Sequence, residues 1–133
     1  MVKKAIITLI ISLAFVLLIS YPVSAAAMRL HCTEYGTCRV TAYSGNNGVT
    51  YGYSENILVP NVSCAASRNI PIGTQLYIEG FGIVTVEDRM SEEYDTDHDG
   101  MVVDLYLESY SAACEWGMHE LDVYIINDIE IVE

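Results

Sequence analysis

The chain between residues 83 and 107 alternates short apolar runs with a long acidic interruption. In the run IVTVED, a period of two predicts a strand that carries Asp88 on the same face as its two valines. In the run MVVDLYL, the same period places Asp104 on the face of a valine and a tyrosine. Each aspartate therefore stands where such a strand would normally carry an apolar side chain.

This placement suggests acid chemistry for Asp88 and Asp104. Burial raises the pKa of a carboxyl group, and a second carboxylate nearby raises the pKa of one member of the pair further. A general acid that works near neutral pH needs such a raised pKa. The alternative is structural, because an aspartate at the end of a strand can also cap a turn through backbone N–H groups.

The remaining pattern predicts an all-β domain with one short helix. Strand signals occur in RVTAYS, TQLYIE and LDVYII, and they are separated by turns rich in glycine, asparagine and proline. The helix is predicted in YSAACEW, with Ser109 as its N-cap and Gly117 as its C-terminal stop. Short strands with turns of this kind are typical of a sandwich or a barrel.

The first 25 residues have the pattern of a secretory signal peptide. Two lysines precede an almost wholly apolar run, and Val23-Ser24-Ala25 fits a small-residue cleavage site. A membrane anchor is the alternative, but the apolar run is shorter than the ~20 residues of a spanning helix. We therefore predict a signal peptide at 1–25, an N-terminal arm at 26–38 and a barrel domain at 39–133, secreted without a stable membrane anchor.

Charge limits the partners of the exported domain. The chain has 18 acidic and 6 basic residues and a net charge of −12. Cleavage after Ala25 would remove both lysines and take the net charge to −14. Like-charge repulsion argues against nucleic acid as a partner. A neutral glycan, or a surface bridged by divalent cations, is compatible with this charge.

Four cysteines, Cys32, Cys38, Cys64 and Cys114, lie in the predicted exported domain. Export favours disulfides, and four cysteines allow three connectivities. We predict the pairs Cys32–Cys38 and Cys64–Cys114, with buried free thiols at positions 64 and 114 as the alternative. The spacing of the first two cysteines matches no compact zinc site.

The acidic interruption contains half of a calcium loop. Asp95, Asp97 and Asp99 alternate and are followed by Gly100, which matches D-x-D-x-D-G. The bidentate acid expected at the twelfth loop position is replaced by Tyr106. The three aspartates therefore predict either a weak calcium site or a solvated acidic loop, and the domain requires no other cofactor.

Five segments in order resemble the 3D domain, a family named for three aspartates and related to the C-terminal part of the MltA lytic transglycosylases. They are VTAYS, NIPIGTQLYIEGFG, VTVED, VVDLYLESYSAACEWG and LDVYII, and together they span residues 39–126. The resemblance implies a six-stranded double-psi β-barrel. It also implies that Asp104 is the catalytic acid and that Asp88 is the second family aspartate. The position of the first family aspartate holds Ala66.

Three functions are therefore predicted for the secreted, wall-associated domain. The first is a lytic transglycosylase, in which Asp104 cleaves the glycan strand of peptidoglycan with help from Asp88. The second is a non-catalytic module that binds glycan or a partner through tyrosines, for which Tyr51, Tyr53 and Tyr106 are the candidates. The third is a calcium-stabilised secreted module without a glycan role.

Overall fold

The structure is a computed structural model that describes residues 27–46, 48–96 and 102–132. The chain divides into two compact units, Leu30–Glu130 and Met1–Arg29 with Ile131–Glu133. In the second unit only residues 27–29, 131 and 132 are described, and all of them are extended. The predicted signal peptide lies outside the described residues. No helix in the described part of the chain has the length and apolar character needed to cross a membrane.

Six strands close into a barrel. In chain order the strands and the two short helices are β1 (Ala27–Tyr43), β2 (Ser63–Ala66), β3 (Gln75–Ile78), β4 (Gly82–Arg89), α1 (Glu92–Thr96), β5 (Val102–Tyr106), α2 (Tyr110–Trp116) and β6 (His119–Val132). Around the barrel the order is β1-β5-β2-β4-β3-β6. The predicted arm at 26–38 is, from Ala27 onward, part of β1.

The pairing is mixed. Strand β1 runs parallel to β5, and β2 runs parallel to β4. The pairs β2–β5, β3–β4 and β3–β6 are antiparallel. The prediction of an all-β, six-stranded barrel is confirmed, whereas its double-psi topology stays a prediction. Because β2 lies between β4 and β5, it brings together the two strands that carry the aspartates.

Alternation within the strands fills the barrel. Val103 and Leu105 of β5 are fully buried, as are Val84 and Val86 of β4, with at most 1% of any of them exposed. Burial of each such aliphatic side chain stabilises the fold by about 1.5–3 kcal/mol. The buried core cluster consists of Cys38, Val40, Cys64, Ala66, Ile70, Leu76, Ile78, Val84, Val86, Val103, Leu105, Leu107 and Val123.

Helix α2 forms where its capping residues predict it. The Ser109 hydroxyl accepts a hydrogen bond from the Ala112 N–H at 3.1 Å, which satisfies one unpaired donor of the first turn. Gly117 ends the helix at a φ of 69°, a conformation that favours glycine. The Trp116 indole N–H donates to the Val40 carbonyl at 3.2 Å and so fixes the helix against β1.

A bulge in β4 corrects the predicted face of Asp88. Cys64 pairs with Val86, but the next residue, Ala65, pairs with Asp88, so Glu87 is an extra residue in the ladder. Val86 faces the core together with Cys64. Because of the extra residue, Asp88 shares the opposite face of the sheet with Ala65. The simple period of two, which placed Asp88 with the valines, is therefore wrong at this point.

The predicted disulfides are absent, since all four cysteines are free thiols. Cys32 and Cys38 lie six residues apart on the continuous strand β1. At ~3.3 Å per residue their Cα atoms are roughly 20 Å apart, far beyond the ~7 Å that a disulfide can bridge. Cys64 is buried in β2, whereas Cys114 is exposed on α2. The alternative, a buried free thiol, holds for Cys64 and not for Cys114.

Candidate functional site

Asp104 is a partly buried carboxyl group on the face of β5 that points away from the core. Its backbone lies in register with Thr41 of β1, and the Thr41 hydroxyl donates to Asp104 Oδ1 at 2.9 Å. Burial, opposed by the Thr41 hydrogen bond and assisted by the negative charge of Asp88, raises the pKa of Asp104 from 3.8 to about 6. Asp104 is therefore protonated for part of the time near neutral pH.

Asp88 lies on the other side of β2 from Asp104. Ala65 is in register with Asp104 on one side and with Asp88 on the other. The Tyr43 hydroxyl donates to Asp88 Oδ2 at 2.7 Å, and the Arg89 backbone N–H donates to Oδ1 at 2.9 Å. These two donors hold the Asp88 carboxyl group in a fixed orientation. The two aspartates thus have different surroundings, because Asp104 is partly buried with one hydrogen-bond donor and Asp88 has two donors.

Strand β1 supplies a side-chain hydrogen-bond donor to each aspartate, a role that sequence reasoning missed. Thr41 and Tyr43 alternate along β1, so both point to the face of Asp104. The Tyr43 ring packs edge-on against Tyr106, with centroids 5.4 Å apart. The only sequence signal was the alternation of polar side chains in RVTAYS, because a threonine and a tyrosine are equally common on a plain strand surface.

A cavity of about 370 Å³ opens beside Asp104. Its lining residues are Arg39, Thr41, Ala42, Met90, Val102, Asp104 and Met118. Its volume falls within the range typical of small-molecule and sugar-sized sites. Asp104 therefore faces a space in which a ligand atom could accept its proton.

Burial also affects the neighbouring hydroxyl and thiol groups. Burial first, and then the hydrogen bond to Asp88 and the nearby carboxylates, raises the pKa of Tyr43 far above its usual range. Burial, followed by the charges of Glu87, Asp104 and Asp88, raises the pKa of Cys64 to about 12. Tyr43 therefore stays a hydrogen-bond donor, and Cys64 stays an uncharged thiol rather than a nucleophile.

The three candidate sugar-binding tyrosines lie in different surroundings. Tyr51 and Tyr53 are each 63% exposed in the segment between β1 and β2. The Arg89 guanidinium lies 6.0 Å from the centroid of the Tyr53 ring. Tyr106 is only 6% exposed. The rings of Tyr51 and Tyr53 are thus largely exposed, with Arg89 over one face of Tyr53, whereas the ring of Tyr106 packs against Tyr43.

The calcium hypothesis concerns residues that are only partly described. Asp97 and Asp99 lie outside the described residues. Asp95 is in α1, where its carboxylate accepts from the Arg68 backbone N–H at 3.1 Å and from the Arg68 guanidinium at 2.9 Å. The described part of the chain holds no group of three or more side chains suited to a metal ion. Calcium binding therefore stays a prediction. To bind the ion, the Asp95 carboxylate would have to give up its hydrogen bonds to Arg68.

Comparison with known proteins gives a distant relative. A cell wall-binding protein, YocH of Bacillus subtilis (strain 168), is 29% identical over 97 residues. The match covers 68% of this chain and 32% of that protein, so the chain spans about a third of the relative's length. No protein-family model matches the chain. The chain is therefore similar to a cell wall-binding protein, which agrees with the class of function that the sequence predicted.

Proposed function

We propose that this protein is a secreted cell-wall protein that binds the glycan strand of peptidoglycan in the Asp104 cavity and cleaves it as a lytic transglycosylase. The observation that carries the proposal is a carboxyl group with a pKa of about 6 that faces a cavity of about 370 Å³. Support for the substrate comes from the similarity to a cell wall-binding protein and from the resemblance to the 3D domain.

In the first step Asp104 acts as a general acid. Its carboxyl proton passes to the glycosidic oxygen as the bond from that oxygen to the anomeric carbon breaks. Positive charge then develops on the sugar ring, and Asp88, held by Tyr43 and the Arg89 backbone, would stabilise it. The structure thus offers one carboxyl group that can be protonated and a second that is held by two donors.

In the second step the ionised Asp104 acts as a base. It removes the proton from the 6-hydroxyl of the same sugar, whose oxygen attacks the anomeric carbon and closes a 1,6-anhydro ring. No water is consumed and Asp104 regains its proton, so the reaction balances with one catalytic carboxyl group. An intramolecular hydroxyl has a high effective concentration and needs no second nucleophile.

The test is digestion of purified peptidoglycan by the wild-type protein and by Asp104→Asn. The asparagine keeps the shape and can still accept the Thr41 hydrogen bond, but it has no transferable proton. We expect wild type to release 1,6-anhydro-muropeptides, detected by mass spectrometry, and Asp104→Asn to release none. Release that rises with pH above 6 would contradict the acid role, since Asp104 ionises there.

The second candidate function is binding without cleavage. It is favoured by Ala66, which stands at the position of the first family aspartate and carries no carboxyl group. Exposed Tyr51 and Tyr53 would then stack on sugar rings. Sedimentation of the protein with peptidoglycan, without release of any muropeptide by wild type, would select this function. Tyr53→Ala should then weaken the binding more than Tyr110→Ala, although Tyr110 on α2 is the more exposed tyrosine, at 79% against 63%.

A further inference from the structure

We propose that the outer face of β3 and β6 carries a second glycan-binding site, the tyrosine site, in which Tyr77 and Tyr124 pack against a neutral N-acetylated sugar. The inference takes from the proposed function only that the partner is a peptidoglycan strand. It adds a place that holds the strand without any chemistry at Asp104. The protein would thus be anchored to the wall at one site while it acts at another.

The strand register places the two tyrosines side by side on the outside of the barrel. Ile78 of β3 is in register with Val123 of β6, and both side chains are fully buried in the core. Tyr77 and Tyr124 form the neighbouring pair in the ladder, so alternation turns both of them outward. Their ring centroids are 6.1 Å apart, and the ring planes are inclined by 36°. Both tyrosines are half-buried, so part of each remains in contact with solvent.

A cavity of about 370 Å³ lies beside this pair. Its described lining residues are Leu30, Cys32, Tyr77, Glu79 and Tyr124. The volume falls within the range typical of small-molecule and sugar-sized sites. Tyrosine suits a sugar ligand, because its ring offers an apolar surface and its hydroxyl a polar group. The lining thus combines two aromatic rings with one carboxylate that can accept hydrogen bonds.

The charges around the two tyrosines favour a neutral ligand. Glu79 and Asp122 are both exposed, and the Glu79 N–H donates to the Asp122 carbonyl at 3.0 Å. Each of them stands two residues from one of the tyrosines and therefore on the same outward face. Their carboxylates repel an anion, and the net charge of −12 adds to this repulsion. The hydroxyl and acetamido N–H groups of a neutral sugar can instead donate hydrogen bonds to these carboxylates.

The tyrosine site is separate from the cavity beside Asp104. The two cavities have no described lining residue in common. Strand β1 contributes Cys32 to the first and Thr41 to the second. At ~3.3 Å per residue these two positions are roughly 30 Å apart along the strand. Two sites on one chain that hold the same polymer strengthen its binding, because the second contact is intramolecular.

The experiment uses Cys32 as a reporter of occupancy, because its exposed thiol lines the same cavity as the tyrosines. Its rate of alkylation by N-ethylmaleimide is followed by mass spectrometry with and without a neutral hexamer of N-acetylglucosamine. Cys114, an exposed thiol on α2, is the control within the same molecule. All proteins carry Asp104→Asn, so that the hexamer is not consumed. The buried thiols of Cys38 and Cys64 must stay unreactive, which shows that each variant is folded.

We expect the hexamer at ten times its Kd to slow alkylation of Cys32 about tenfold, because about a tenth of the sites then stay free, and to leave Cys114 unaffected. Tyr124→Ala should raise the concentration that gives half protection by about twofold to tenfold, the factor that one aromatic contact supplies. Tyr77→Phe keeps the ring and should keep the protection. Tyr53→Ala removes a tyrosine from another part of the surface and should also keep it.

Three results would overturn the tyrosine site. They are a Cys32 that the hexamer does not protect, equal slowing of Cys32 and Cys114, and protection that Tyr124→Ala leaves intact. Protection by a cationic hexamer of glucosamine alone would assign the effect to the carboxylates and also overturn the site. All of these would leave the proposed function standing, because peptidoglycan cleavage by wild type is measured separately. Protection of Cys32 without any release of muropeptides by wild type would support the site and contradict the cleavage.

Discussion

Replacement of Asp104 by asparagine should stabilise the protein above pH 6. Wild-type Asp104 has a pKa of about 6 in the folded protein, against 3.8 when unperturbed. The folded state therefore holds this proton more tightly than the unfolded state does. The stability that the proton contributes is complete below pH 3.8 and is lost as the pH rises through 6. Asparagine keeps the hydrogen-bonding shape and never ionises, so it avoids this loss.

The size of the effect follows from the two pKa values. At about 1.36 kcal/mol per pH unit, a rise from 3.8 to about 6 corresponds to about 3 kcal/mol. Solvent screening of a partly buried group lowers this to about 1–3 kcal/mol. A gain of 1 kcal/mol raises the Tm of a domain of this size by about 4–8 °C. Asp104→Asn should therefore melt at least about 4 °C above wild type at pH 7.

The assay is urea denaturation followed by circular dichroism at several pH values between 4 and 8. The quantity of interest is the difference in unfolding free energy between Asp104→Asn and wild type, because the other titrating groups are common to both. We expect this difference to grow by about 1–3 kcal/mol between pH 4 and pH 7. A difference that does not change with pH would refute the claim that burial holds the proton on Asp104.

A matched control exists on the neighbouring strand β6. Asp122 also accepts a hydrogen bond from a threonine hydroxyl of β1, that of Thr37, at 2.7 Å. This aspartate is exposed. Because Asp122 is exposed, Asp122→Asn tests loss of a threonine-bonded carboxyl group without its burial. If it gave the same slope as Asp104→Asn, the pH dependence would not arise from burial of Asp104.

Three further outcomes are expected. Tyr43→Phe removes the 2.7 Å hydrogen bond to Asp88, and it should lower the free energy of unfolding by about 1.5–3 kcal/mol and abolish most of the cleavage activity. Tyr77→Phe is the control and should leave cleavage unchanged. Equal cleavage by both variants would contradict the role of Tyr43. In the folded protein Cys32 and Cys114 should react with a thiol reagent within minutes and Cys38 and Cys64 only after unfolding; prompt reaction of all four would contradict their burial. Calcium at ten times a Kd of about 10⁻⁴–10⁻³ M should stabilise the protein by about 1.4 kcal/mol, and a Tm unmoved by calcium would exclude the site.

The elements that local chemistry determines could be predicted from the sequence. Helix α2 begins after Ser109 and ends before Gly117, because a side-chain acceptor and a glycine at positive φ set its two ends. The period of two in MVVDLYL predicts the strand that carries Asp104. Val103 and Leu105 face the core, as this period requires. These features depend on residues close together in the chain, so no knowledge of the tertiary fold was needed.

The predictions that were wrong concern features that depend on pairing between segments distant in the chain. The bulge at Glu87 has no local signature, since it is defined by the register between β4 and β2. The first half of β1 is largely exposed, and it is a strand because β6 lies beside it. There the Asn127 amide donates to the Thr33 hydroxyl at 2.8 Å, and the Thr37 hydroxyl donates to Asp122. The predicted disulfide at Cys32 failed because this pairing keeps β1 extended.

The register of β2 explains how Asp88 and Asp104 can interact although Ala66 stands at the position of the first family aspartate. Ala66 is fully buried, belongs to the core cluster and is in register with Val103, so a carboxylate at this position would lie in the core and cost several kcal/mol. Ala65, by contrast, is in register with both Asp88 and Asp104 and is 3% exposed. Ala65 is therefore the residue of β2 that lies between the two aspartates in the sheet, and the negative charge of Asp88 contributes to the raised pKa of Asp104. The raised pKa of Asp104 then follows from burial and from Asp88 alone, so the lack of a carboxyl group at Ala66 does not prevent Asp104 from holding the proton that the proposed reaction needs.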